Sequence, residues 1–550
     1  DISTAASGSN GVIDIHSTGG DIVLSGKETT VNGDITVTAD AGSITINDKV
    51  TSTSGAVTVT GYGNVTTSGS GDIQTGGTGA ISITSTTGNI SLSGAETTDA
   101  GTITLNAPHG AIGIAGEVNS TSGDITVTAD TITLDELVAT GSTGSVSITA
   151  DTGDLTVNNI VNAAGTGNVT LTAAGTLDIN DAVSSGSGNI VLTGQRVTLD
   201  GSIDTNSPGT VAINTSADGD LVMGTAITVH GDLSLAVSGD IVDNTGSGSA
   251  AITANHLTLQ SGGIIGTDSH PFKIDAVLLD ASTTGGDINI TDISGGLSVG
   301  KVTTGGTVAG TVNLKVINGS LTESSATDAP ADIVGKTINL VTTGTNGTVG
   351  TSDEALEIDA DVLNITTDGS DINVHDIAGG VRIGLVTTQS TDSGIVHLKT
   401  TGGNMLEYGE NKLVDILAKT VYLTVVNGGQ EEIGLPTQNL QVRVGPQTLI
   451  VDNPTGNTFI NLNGTSSTYL NYQLPPGMQV NMANLPQLIV FGTQVVGGDM
   501  IDQFHQAQHE LRSVMQPAQG LPVIRDRVEQ EHPIRFEEMD RLSLNYNVIR

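Results

Sequence analysis

From Asp1 to about Gly262 the chain repeats one short phrase: a glycine, any residue, then two aliphatic residues with a polar one between them. It reads Gly20-Asp-Ile-Val-Leu24, Gly33-Asp-Ile-Thr-Val37, Gly42-Ser-Ile-Thr-Ile46, Gly79-Ala-Ile-Ser-Ile83 and Gly88-Asn-Ile-Ser-Leu92. It continues through Gly123, Gly144, Gly167 and Gly188. Alternation with period two predicts strands that bury one face. The inward residues are Val, Ile and Leu. The outward ones are Thr, Ser and Asn, with Thr suited to a strand by its branched β-carbon. Such residues, stacked, can hydrogen-bond along an outer face. Many neighbouring phrases start roughly 9 to 13 residues apart, so two strands are expected to complete a coil of roughly 20 residues.

From Gly266 a longer phrase takes over, and the chain says it twice. Gly266–Thr304 and Gly350–Thr388 align without a gap at a constant offset of 84, from position 266 to position 350. Identities include Ile274/Ile358, Asp275/Asp359, Leu279/Leu363, Asp287/Asp371, Ile288/Ile372, Asp292/Asp376 and Gly300/Gly384. Ile433-Gly434 begins a fainter third copy, echoing Ile265-Gly266 and Val349-Gly350. A fixed period signals a solenoid, and this one is expected to span about three coils. The pairs Gly295-Gly296 and Gly379-Gly380 supply positive-φ corners. No helical stripe lies between the strands. The expected fold is therefore all-β, a parallel β-helix with coils about 4.8 Å apart.

The Gly-x-β-x-β ladder and the recurring Ile-Gly-Thr…Ile-Asp-Ala block resemble the repeat region of the large filamentous-haemagglutinin-type exoproteins of bacteria, over roughly residues 1 to 450. The resemblance implies a right-handed β-helix, export to the bacterial surface or beyond it, and a role as adhesin or surface fibre. The Asn-Pro-Asn motifs of that family's amino-terminal secretion domain are missing. The one Asn-Pro is Asn453-Pro454.

Composition narrows the partners. A chain of 550 residues exceeds the usual single core, yet no linker divides it, and a solenoid grows by adding coils. The net charge of −40 argues against nucleic acid or an anionic membrane surface as partner, since both would repel it. Cysteine is absent, which removes disulfides and thiolate metal sites. No apolar run is long enough to insert into a bilayer as a helix. The start at Asp1-Ile2-Ser3 reads as a processed or excised mature fragment.

The expected organisation is a short-coil β-helix over residues 1–265, a long-coil β-helix with the 84-residue repeat over 266–450, and an atypical β cap over 451–498. A short helix over 499–516 and an extended tail over 517–550 follow. Nine of the 13 prolines lie beyond residue 430, and nine of the eleven Tyr and Phe lie beyond residue 400. Terminal repeats that close an open apolar end are atypical in this way. Asp499 can cap the helix, Ile501, Phe504, Leu511, Val514 and Met515 form its stripe, and Pro517 follows it. The tail carries Arg525, Arg527, Arg535 and Arg541, then the alternating residues Leu542, Leu544, Tyr546 and Val548. These eight are the candidate contacts to another subunit, the strand adding to a sheet edge and the arginines meeting an acidic neighbour.

No catalytic, cofactor or metal residues are assigned. Asp275, Asp287 and Asp292 recur as Asp359, Asp371 and Asp376. Repetition points to corner and capping roles, because an active site is normally built once. A structural Ca²⁺ on these carboxylates is the lesser reading. His505 and His509 have metal-ligand spacing, but the zinc-protease motif fails around them. The leading function is a structural β-solenoid of an extracellular fibre, polymerising with itself head to tail. The alternatives are an adhesin for host or matrix glycans or proteins and, behind it, a polysaccharide lyase or hydrolase.

Overall fold

The computed structural model describes residues 2–4 and 11–462, except positions 207, 217 and 247 and the segments 306–309, 326–329, 410–413, 427–430, 446–448 and 454–457. It also describes the strands Leu470–Tyr472, Gln479–Asn481 and Tyr546–Val548. The chain divides into two compact units, Asp1–Ser325 and Ala326–Arg550. Among the described residues each is a parallel β-solenoid without helices. The expected helix over 499–516, most of the tail and most of the cap lie outside the described residues.

In the first unit many coils carry three short strands, not the expected two, while in others two of the three run on as one, as in Ile103–Ile114 and Ile125–Leu134. One coil runs Val50–Ser52, Val57–Gly61, Val65–Thr67, and the next runs Ile73–Thr75, Ile81–Ser85, Ile90–Leu92. Equivalent strands pair in parallel, Val50 with Ile73, Val57 with Ile81 and Val65 with Ile90. Ile35, Val57, Ile81, Ile103, Ile125, Val146, Val169 and Ile190 form one inward column, each contributed by the next coil. All are buried, and each such side chain contributes about 1.5–3 kcal/mol.

The overlooked face is a ten-stranded sheet running from Ile2–Thr4 to Ile203–Thr205. Its strands are three residues long, so each offers two inward positions. The second of these is in most coils a hydroxyl: Thr30, Ser52, Thr75, Thr98, Ser120, Thr140, Ser185 and Thr205 are all buried. These hydroxyls turn to glycines at the adjoining corners. Ser120 Oγ donates to Gly101 O at 3.1 Å and accepts from Gly123 N at 2.7 Å. Ser52 does the same with Gly33 O at 2.9 Å and Gly55 N at 2.8 Å. A buried hydroxyl left without partners would be costly, so each of these bonds settles a side chain and a corner together.

These corner glycines are not needed for positive φ; Gly33, Gly101 and Gly123 do not have it. They are needed for approach. A Cβ on Gly123 would overlap the carbonyl oxygen of Gly101, and one on Gly101 would overlap that of Gly79. The residue after such a glycine can tie the coils together again. Asp34 accepts from the amide of Ala56 at 2.8 Å, and Asp124 accepts from that of Ser145 at 2.8 Å.

The second unit has the same parallel ladder with less even coils. Ile372, Val396, Val421 and Leu449 form one column, and its steps lengthen along the chain. The repeat found in the sequence is not a whole number of these coils. Val349 bridges to Ile372, so three steps of this column lead from Val349 to Val421. Ile433 lies part of a coil beyond Val421, in a column with Val381 and Met405. The two copies of the Ile/Val-Gly signature in this unit therefore sit on different faces of it.

Candidate functional site

The repeated block builds the same local device at each copy. Ile265, Val349 and Ile433 each make a single parallel bridge to the next coil, to Ile288, Ile372 and Thr458. The glycine that follows has φ of +61° at Gly266, +65° at Gly350 and +69° at Gly434. Here positive φ does matter: the chain turns out of the wall into a short excursion and returns. Backbone bonds close the turns, from Thr267 N to His270 O at 2.9 Å, Thr351 N to Glu354 O at 2.7 Å, and Leu435 N to Gln438 O at 2.9 Å. The turn runs close over the strand of the next coil. A Cβ on Gly266, Gly350 or Gly434 would crowd the carbonyl oxygen of Asn289, Asn373 or Phe459.

Strands beside this turn lose the usual alternation. Ile288–Asp292 and Ile372–Asp376 are buried on both sides. Asn289 Nδ2 donates to Gly266 O at 3.3 Å, which ties the outward side of the first strand to its excursion. In the second copy His375 Nε2 lies 2.8 Å from Thr401 Oγ1, and its Nδ1 lies 4.0 Å from Glu357 Oε1.

On the inward side, in line with Ile288 and Ile290 or with Ile372 and Val374, stand Asp292 and Asp376. Their residues are 0% and 1% exposed. The amide of Ala276 donates to Asp292 Oδ1 at 3.3 Å. Asp292 Oδ2 and both Asp376 oxygens have no hydrogen-bond partner among the described residues. Burial pushes each carboxyl up to about 7. Asp275 or Asp359 adds to the shift, and the nearby amides of Ala276 and Gly296, or of Ala360 and Gly380, oppose it. At the register position of Asp376 the third copy has Leu462: Ile358 pairs with Asp376, and its counterpart Val442 pairs with Leu462.

The three recurring aspartates thus separate. Asp287 and Asp371 are corner ties: each accepts an amide of the next coil, Thr311 at 2.6 Å and Ile395 at 2.7 Å. Asp275 and Asp359 point outward. Asp292 and Asp376 are interior acids.

Two further acids escaped the sequence reading. Glu28 and Glu96 stand in the inward column of the ten-stranded sheet, where Val50, Ile73 and Val118 occupy neighbouring coils. Both are buried. Burial raises both pKa values, that of Glu96 well above the usual carboxylate range with a further push from Asp72. The available signal was the phrase Ser-Gly-x-Glu-Thr-Thr, present at 25–30 and 93–98.

Of the candidate inter-subunit contacts, Tyr546 and Val548 lie in a strand that pairs antiparallel with Leu470–Tyr472 of the same chain. Arg525, Arg527, Arg535, Arg541, Leu542 and Leu544 lie outside the described residues, as do His505 and His509. The chain matches no known family model, no curated protein and no solved structure.

Proposed function

We propose that this protein is a structural β-solenoid of a bacterial extracellular fibre or surface stalk, of the filamentous-haemagglutinin type, that assembles with itself head to tail through residues 517–550. The observation that carries the reading is the use made of the outer polar groups. Asp34, Asp124, Asp287 and Asp371 each accept an amide one coil away. These four carboxylates thereby join coil to coil, which supports a spacer. The −40 charge keeps such a surface hydrated, and the arginines of the tail would favour an acidic neighbour.

The glycan-binding alternative draws less support. Carbohydrate sites favour an aromatic face. His397 and Tyr422 stack on adjacent strands, centroids 4.1 Å apart and 14° from parallel. In this stack each ring covers one face of the other.

Deleting residues 517–550 is expected to abolish fibres in electron micrographs while leaving the circular dichroism of the solenoid unchanged. Fibres that persist after the deletion would overturn head-to-tail assembly through the tail.

A further inference from the structure

Asp292 and Asp376 are unlike the other polar residues of the fold. Buried hydroxyls such as Ser120 are neutral and doubly bonded, and the corner aspartates Asp287 and Asp371 hold amides at the coil edge. These two acids stand in the interior, just before the positive-φ pairs Gly295-Gly296 and Gly379-Gly380. Among the described residues neither has an ion-pair partner. Around Asp292, Phe272–Thr283 brings Lys273, Asp275 and Asp280, Leu297–Thr304 brings Lys301, and Thr311–Val316 brings Lys315. Lys273 is bonded to Asp243 at 3.1 Å, and Lys301 and Lys315 are exposed. His256, on Ile252–Ser261, lies 2.7 Å from Asp280. Around Asp376, Leu356–Thr366 brings Glu357, Asp359 and Asp361, Val381–Thr387 brings Arg382, and Ile395–Thr401 brings His397 and Lys399. Its own strand brings His375, and Asp371 precedes it. Arg382 and Lys399 are exposed, and His375 is turned to Thr401 and Glu357.

We propose that Asp292 and Asp376 are twin proton-binding latches, each closing its coil corner as a neutral carboxylic acid and loosening it when the proton leaves to solvent. A neutral acid can remain in this dry position; a carboxylate there has at most the amide of Ala276, at Asp292, and lacks a counter-ion. Since the pKa of each is pushed up to about 7, the change falls near neutrality. The folded state binds the proton more tightly than the unfolded chain does. The contribution is therefore complete in acid and is lost as pH rises through about 7. The third copy has Leu462 at this register position, so the corner itself does not require a carboxylate.

The test uses the full chain. Amide hydrogen exchange of peptides covering 272–296 and 356–380 is followed at about pH 5.5 and about pH 8.5, corrected for intrinsic chemistry. Opening is expected to rise about tenfold or more across that range, one factor of ten per pH unit up to about 7 and levelling off above it. In Asp292→Asn and Asp376→Asn the rise should vanish from the peptide carrying the substitution and persist in the other. An infrared band of protonated carboxylic acid is expected in the wild type at about pH 6, where ordinary carboxylates are ionised. It should weaken with each substitution. Exchange in these peptides that is flat with pH in the wild type, or no such band, overturns the proposal even if the variants do not fold.

Discussion

The ten-stranded ladder of the first unit and the repeated blocks at 266–304 and 350–388 face one problem, a polar group on the inside of a parallel coil, and answer it differently. The ladder uses Ser and Thr, whose hydroxyls both donate and accept, so that Ser52 and Ser120 are satisfied by the glycines of adjoining corners. The blocks use aspartic acid, which keeps unpartnered oxygens among the described residues, and burial there favours its neutral form. The first answer is indifferent to pH. The second ties stability to it. Glu28 and Glu96 show that even the ladder admits the second answer where one acid replaces a valine or isoleucine.

Three experiments would break or sharpen this contrast. The largest effect is expected from Gly123→Val, whose side chain would run into the Gly101 carbonyl. It should cost about 3 kcal/mol or more, read as a lowered urea midpoint, because backbone held on both sides cannot yield. Next, Glu96→Val installs the residue type found at Val118 in the following coil and removes a buried acid without a hydrogen-bond partner among the described residues. A gain of about 1–3 kcal/mol is expected at alkaline pH. Because burial raises the Glu96 pKa, the wild type loses stability as pH rises, so the gain should shrink in acid. Thermal melts across pH read both. The smallest effect is expected from Ser120→Ala, which strips one donor from Gly101 O and one acceptor from Gly123 N. A loss of about 1–2 kcal/mol is expected, equal at acidic and alkaline pH. A pH-dependent loss there would erase the distinction between the two answers.

The parallel coil was legible wherever two alternating aliphatic residues followed a glycine. Ile35, Val37, Ile44 and Ile46 are buried as their alternation required. The third face stayed hidden because strands such as Glu28–Thr30 and Val50–Ser52 are short and end in a hydroxyl, which reads as a polar turn. The capping role of Asp287 and Asp371 was readable from their recurrence. The interior position of Asp292 and Asp376 was not: period two is visible in a strand, but the face that lies under an excursion depends on Gly266 and Gly350 turning the chain outward. Glu96 was invisible for a simpler reason. Glutamate is so rarely buried without a partner that its neighbours in the column, not its own identity, reveal it.

The mismatch between the repeat spacing and the coil has an evolutionary reading for the second unit. A segment duplicated at this length re-enters the wall out of phase, so its outward turn emerges over a different column from that of its parent. Lengthening the chain by such copies would wind the turns around the axis like a screw thread, with no single side accumulating them all.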